Sequence, residues 1–197
     1  MSDVVSLAKG DRVNLNKVAP RLKIAAVGLG WHAQQFDSFA FDLDASAFLL
    51  DANGKILDGD SGNFIFYGNL EHSSGSVRSL GDNVTGSGSG DDETIIIEFP
   101  KVPAAVAKIQ VAITIYEAEL RNHQNFGQVH NAYCRVYDHE TGAEIARYDL
   151  SEDYSGKTAL VVGEFYLKDG DWRFAAIGGG YNGGLEALCK GVGLAVR

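Results

Sequence analysis

The chain has 197 residues, of which 45 % are apolar, and it carries 26 acidic against 17 basic side chains for a net charge of −9. That apolar share supports a packed core and excludes disorder for most of the chain. A negative field repels nucleic-acid phosphates and an anionic membrane surface unless a divalent ion bridges them, and it attracts cations. The two cysteines, Cys134 and Cys189, lie in apolar stretches. They are too few for a secreted disulfide scaffold, so two buried thiols in a reducing compartment are expected. With no leader-like segment and no apolar run of bilayer length, the expected location is cytoplasmic.

Twenty-four glycines and three prolines predict many turns. Residues 4–7 and 12–15 read as short strands around Lys9-Gly10-Asp11, and residues 22–29 as an apolar strand that exits at Gly28-Leu29-Gly30. In residues 39–51, Phe39, Phe41 and Leu43 alternate with Ala40, Asp42 and Asp44, giving a strand with one apolar and one acidic face. Asn53-Gly54 then predicts a tight hairpin. Further strands are expected at 63–67, 93–99, 109–116, 129–137, 144–148, 158–167 and 172–177, the last two flanking the turn Lys168-Asp169-Gly170-Asp171. Residues 103–108 suit one or two helical turns, and 184–190 a short helix. Many short strands at regular spacing predict an all-β, two-sheet antiparallel β-sandwich, with residues 1–197 forming a single domain.

The chemistry concentrates in residues 80–93. Asp82, Asn83, Asp91, Asp92 and Glu93 fall here, and no Lys or Arg occurs from Ser79 to Pro100. Clustered carboxylates repel one another unless a positive charge sits between them. Gly86, Gly88 and Gly90 let a backbone turn its carbonyls inward. Oxygen donors on such a segment suit a hard cation taking six to eight ligands, and the absence of Cys and His disfavours zinc or copper. A solvated Gly/Ser linker explains the same composition equally well. Asp42 and Asp44, two positions apart on one strand face, favour the metal. Asp58-Gly59-Asp60-Ser61-Gly62-Asn63 resembles the opening of a calcium loop, but it lacks the closing glutamate and flanking helices of an EF-hand, so a plain turn is expected. The glycines of 86–90 lack the lysine and spacing of a phosphate cradle. His123, His130 and His139 read as separate surface residues, and Trp31, Tyr67, Tyr133 and Trp172 as core or sheet-face aromatics.

Phe41-Asp42-Leu43-Asp44-Ala45-Ser46-Ala47-Phe48-Leu49-Leu50 resembles the FDLDASAFLL signature of the TerD-type tellurite-resistance family. Gly81-Asp82-Asn83, Thr85, Gly86, Gly88 and Gly90-Asp91-Asp92-Glu93 match its GDNxTGxGxGDDE loop. Asn125-Phe126-Gly127-Gln128-Val129 with Asn131-Ala132, Ala146-Arg147-Tyr148-Asp149-Leu150-Ser151-Glu152-Asp153, Leu7-Ala8-Lys9-Gly10 and Gly28-Leu29-Gly30-Trp31 also fit, so the resemblance covers nearly the whole chain. It implies a calcium-binding β-sandwich of bacterial stress operons. Two Ca2+ ions would be held by Asp42, Asp44, Asp82, Asn83, Gly88, Gly90, Asp91, Asp92 and Glu93. The chain departs from the pattern at Ser87 and Ser89, where relatives often carry acids, and at His32 after Trp31. Fewer carboxylates should weaken binding.

Three functions compete. A non-enzymatic scaffold would use calcium to order the acidic segment and dock other tellurite-resistance or stress proteins at the inner membrane face. A metal-dependent hydrolase, or a binder of a nucleotide-like small molecule, is the alternative, although residues 80–93 offer no Lys, Arg or His partner. Direct reduction of tellurite would need reactive thiols. The first reading is the expectation.

Overall fold

The computed structural model describes residues 4–33, 41–81, 90–121 and 123–195. Its strands are β1 (Val5–Leu7), β2 (Arg12–Asn14), β3 (Ile24–Ala33), β4 (Leu43–Leu50), β5 (Phe64–Ile65) and β6 (Val77–Ser79), then β7 (Glu93–Glu98), β8 (Lys108–Ile115), β9 (Val129–Asp138), β10 (Glu144–Asp149), β11 (Ala159–Lys168) and β12 (Asp171–Tyr181), with helices α1 (Leu15–Val18) and α2 (Gly184–Gly191). Among the described residues they form two six-stranded sheets. Sheet A has the order β1-β10-β9-β3-β7-β6 and sheet B the order β2-β12-β11-β8-β4-β5. The two-sheet sandwich is as expected, with one refinement: β1 runs parallel to β10.

The core follows from strand alternation. In β7, Ile95 and Ile97 point inward beside Val27 and Leu29 of β3, and these meet Leu43, Ala47 and Leu49 of β4 and Val111 and Ile113 of β8 across the sandwich. Each fully buried side chain of this kind is worth roughly 2 kcal/mol in removal from water. All eight residues of β4 are buried, which the two-faced pattern of the sequence did not anticipate. The reason is a third layer. Phe48 and Leu50 on the outer face of sheet B pack with Leu188, Cys189 and Val192 from α2 and the residues that follow it.

Five local expectations change. The strand at 22–29 does not exit at its glycines but runs on to Ala33. Residues 12–15 end as a strand at Asn14, whose side chain accepts from the Lys17 amide and starts α1. The strands on either side of Lys9-Gly10-Asp11 do not pair with each other; the turn carries the chain from sheet A to sheet B. Residues 103–108 form no helix. Only a turn from Pro103 to Val106 is made, and the helical turn lies earlier, at Phe99–Lys101. Val102 is extended, as the residue before a proline prefers. At Asp51-Ala52-Asn53-Gly54-Lys55 the turn forms, with the Asp51 carboxylate accepting from the Asn53 and Lys55 amides, but the return is a single bridge from Leu50 to Ile56.

Register gathers the acidic motifs at one end. The antiparallel pairings put the ends of β3 and β6 with the starts of β7 and β9 in sheet A. In sheet B they put the start of β4 with the end of β8, the start of β11 and the end of β12. The β9–β10 and β11–β12 turns lie at the other end.

Candidate cation site

Asp44 opens β4 in sheet B and Glu93 opens β7 in sheet A, and both are buried, at 8 % and 3 % exposure. Glu93 shares the parity of Ile95 and Ile97, so the alternation that buries the isoleucines turns it toward the opposite sheet. The two carboxylates line one cleft of about 190 Å3 with Tyr67, Ser79 and Gly81. Two residues 49 positions apart in the chain thus bring carboxylates to one mouth, beside Ser79 of β6 and Tyr67. That donor set fits a hard cation. Tyr67 and Ser79 are the contributors that sequence reasoning missed, because only the pairing of β6 with β7 brings Ser79 opposite Ile95.

Asp42 lies on the same outer face as Asp44, and the two share a second cleft with Tyr67 and Tyr116. The Asp42 carboxylate pairs with Arg121 at 3.2 Å, and that guanidinium lies over the Tyr116 ring at 5.1 Å.

Asp91 is placed differently. It lies on the outer face of sheet A above Gly28, where any Cβ would collide with its carboxylate. Arg135 of β9 donates two hydrogen bonds to it, Nε to Oδ1 at 2.8 Å and Nη2 to Oδ2 at 2.9 Å. Tyr133 donates its hydroxyl to Oδ1 and to the Gly90 carbonyl at 3.0 Å, and its ring covers Gly30. Glycines 28 and 30, read in sequence as a strand exit, pave β3 so that these side chains can lie flat. The carboxylates hold the Arg135 proton more tightly than usual, and burial first, then the Asp91 charge, raises the Tyr133 hydroxyl to about 12. Bidentate charge-assisted pairs of this kind are strong and directional, so Asp91 anchors the chain where β7 begins.

Asp92 does a third job. Its Oδ2 accepts from the Trp31 amide at 3.0 Å, and its own amide donates to the Leu29 carbonyl. Burial raises its pKa, and the Trp31 amide opposes the rise. Asp82, Asn83 and Gly88, with Ser87 and Ser89, lie outside the described residues.

The other sequence candidates behave as ordinary structure. Asp60 accepts from the Gly62 amide and Asn63 hydrogen-bonds the buried His72, so 58–63 is a pair of turns. His123 pairs with Glu119 on the surface. Cys134 and Cys189 are free and buried, and burial pushes the Cys134 thiol up to about 12. A thiol so held is not a nucleophile at neutral pH. No group of three or more His, Cys, Asp or Glu side chains poised for a metal occurs among the described residues.

Fold and cleft define a two-sheet β-sandwich with carboxylates from both sheets at one mouth. Residues 4–191 match the TerD domain. The chain is 51 % identical over 193 residues to the uncharacterized protein YceE of Bacillus subtilis, covering 98 % of this chain and 99 % of that one. It is 50 % identical over 193 residues to general stress protein 16U of the same organism, covering 98 % of each. It is 51 % identical over 190 residues to the tellurium resistance protein TerD of Serratia marcescens, covering 96 % and 97 %. A crystal structure described as a homologue of the telluride resistance protein TerD from Streptomyces coelicolor superposes with a TM-score of 0.65 at 21 % identity, covering 85 % of this chain and 95 % of that one. The chain belongs to the TerD domain family of tellurium-resistance and general stress proteins.

Proposed function

We propose that this protein is a non-enzymatic, calcium-binding stress scaffold whose cation is taken at the mouth between the sheets by Asp44 and Glu93. The convergence of these two buried carboxylates in one cleft, beside Tyr67 and Ser79 and with Ala45 and Leu70 as its apolar wall, carries the reading. Two carboxylates brought together in a poorly hydrated mouth repel each other, and a divalent ion would supply the neutralising charge. Asp44 and Glu93 would contribute carboxylate oxygens, and Ser79 and Tyr67 hydroxyl oxygens. Asp91 would hold the strand start in register through Arg135 and need not touch the ion. Asp42, Asp82, Asn83, Gly88 and Gly90 remain the candidates for the second ion that the family resemblance implies.

Neutralised in this way, the acidic end becomes a surface on which other stress proteins can dock, at the cytoplasmic face of the inner membrane. Two free, buried thiols suit a reducing compartment. The names of the relatives, general stress and tellurium resistance proteins, support a protective role. The inert Cys134 thiol argues against direct reduction of tellurite.

Calcium titration calorimetry with an ion count tests the proposal. The parent protein should bind calcium stoichiometrically, and Asp44→Asn with Glu93→Gln should lose at least one ion. Full occupancy in the double variant, or no heat from the parent protein at millimolar calcium, would sink it.

A further inference from the structure

Beside the mouth, on the outer face of sheet B, a groove of about 450 Å3 runs between the end of β8 and the start of α2. Its volume lies in the range of sites that take several side chains or a small ligand. Its walls are apolar and aromatic. Tyr67 and Tyr116 pack edge to face with centroids 6.2 Å apart, and Leu120 is 78 % and Tyr67 52 % exposed. Its rim is acidic, with Asp44, Glu117, Glu119 and Glu186 among the lining and no Lys, Arg or His among the described lining residues.

We infer that this groove docks a basic segment of a partner protein, an arginine or lysine flanked by aliphatic residues. The inference deepens the scaffold half of the function proposed above by naming where and with what chemistry a partner binds. Charge complementarity selects the occupant. The edge of the groove shows an example of the recognition, because the chain's own Arg121, outside the lining itself, lies over Tyr116 while pairing with Asp42 at 3.2 Å and reaching Glu117 at 4.0 Å. A guanidinium is therefore already recognised here by an aromatic face and carboxylates together. Two rim carboxylates are readily recruited. Glu119 pairs with His123 and Glu186 with Lys190 as exposed pairs along the chain, and such pairs contribute little and exchange easily. The start of α2 presents a partial positive charge that would oppose a cation. Here the Gly184 amide donates to the Thr158 hydroxyl at 2.9 Å, and Glu186 sits in the first turn, so the opposition is largely cancelled. Exposed leucine and tyrosine supply the apolar burial that gives such an interface its affinity.

Fluorescence anisotropy with a labelled ten-residue peptide of alternating Arg and Leu tests this, in chelator and again in calcium. The peptide should bind, and Glu119→Gln with Glu186→Gln, or Tyr67→Ala alone, should weaken it roughly tenfold. Glu140→Gln with Asp169→Asn, which removes the same charge from the turns at the far end, should leave binding unchanged. Equal weakening by the near and far pairs would reduce the effect to net charge and overturn the inference. So would equal binding of an Arg/Gly peptide, which cannot use the apolar walls, or displacement by spermidine at matching concentration, which would point to a free organic cation. Peptide binding that persists when calcium titration fails removes only the cation proposal. No peptide binding beside an intact calcium titration removes only this one.

Discussion

Asp91 and Glu93 stand two positions apart, yet they serve opposite ends of the physics. Asp91 lies on the outer face of sheet A with both oxygens on Arg135. Glu93 lies inside the mouth, in a cleft that it shares with Asp44 from the outer face of sheet B. The first is a charge matched by the protein itself, so it contributes to stability. The second shares its cleft with another carboxylate, and on the function proposed above a cation would offset the repulsion between them. On the proposed function one acidic run divides into an anchor and a binding group, and the two should separate cleanly on mutation.

Removing the anchor should have the largest effect. Arg135→Ala leaves a nearly buried Asp91 without its bidentate partner, and loss of one partner of such a pair costs ~2–3 kcal/mol where one member keeps some solvent. Urea unfolding in chelator should show that loss while the number of calcium ions bound at saturation is retained. If the stoichiometry fell instead, Asp91 and Arg135 would belong to the binding group and the contrast would collapse.

The binding group should behave in the opposite way. Glu93→Gln removes like-charge repulsion, so stability in chelator should hold or rise. The calcium-induced gain, about 2.7 kcal/mol at one hundred times Kd for a single site, should disappear. Differential scanning calorimetry with and without calcium reads both quantities. An undiminished calcium shift would place the ion elsewhere.

Asp92 tests the residue between them, with the smallest effect. Its pKa is raised chiefly by burial. A raised folded-state pKa means that the stabilising contribution is fully present below the ordinary aspartate value of 3.8 and is lost as pH rises through the raised value. Asp92→Asn, which keeps an oxygen for the Trp31 amide, should therefore gain on the parent as pH rises through that window. Partial exposure keeps the gain small, ~1–2 °C in Tm at neutral pH. A pH-independent difference would assign the effect to the hydrogen bond alone.

Periodicity made most of the fold legible. Alternation marked β7, β8, β9 and β11 close to their bounds and the start of β12, which runs four residues past the expected Ile177 to Tyr181, and Lys168-Asp169-Gly170-Asp171 marked the turn between the last two. Of the short edge strands, β5 was expected too long, at 63–67, and β6 was missed, because two or three residues carry no period. Clustered acids marked the functional end, but their chemistry could not be separated. The basic partners come from far along the chain: Arg135 lies 44 positions beyond Asp91, and Arg121 is further still from Asp42. A segment free of Lys and Arg in sequence is not free of them in space.

The sequence by itself determined the sandwich, the family and which end is acidic, because strand alternation and turn residues act over a few neighbours. Only the tertiary structure decided which carboxylate is tied to arginine and which lines a cleft with a carboxylate from the other sheet. Those roles depend on register between strands and on the facing of two sheets. Both are set by long-range pairing, to which a local pattern of residues is blind.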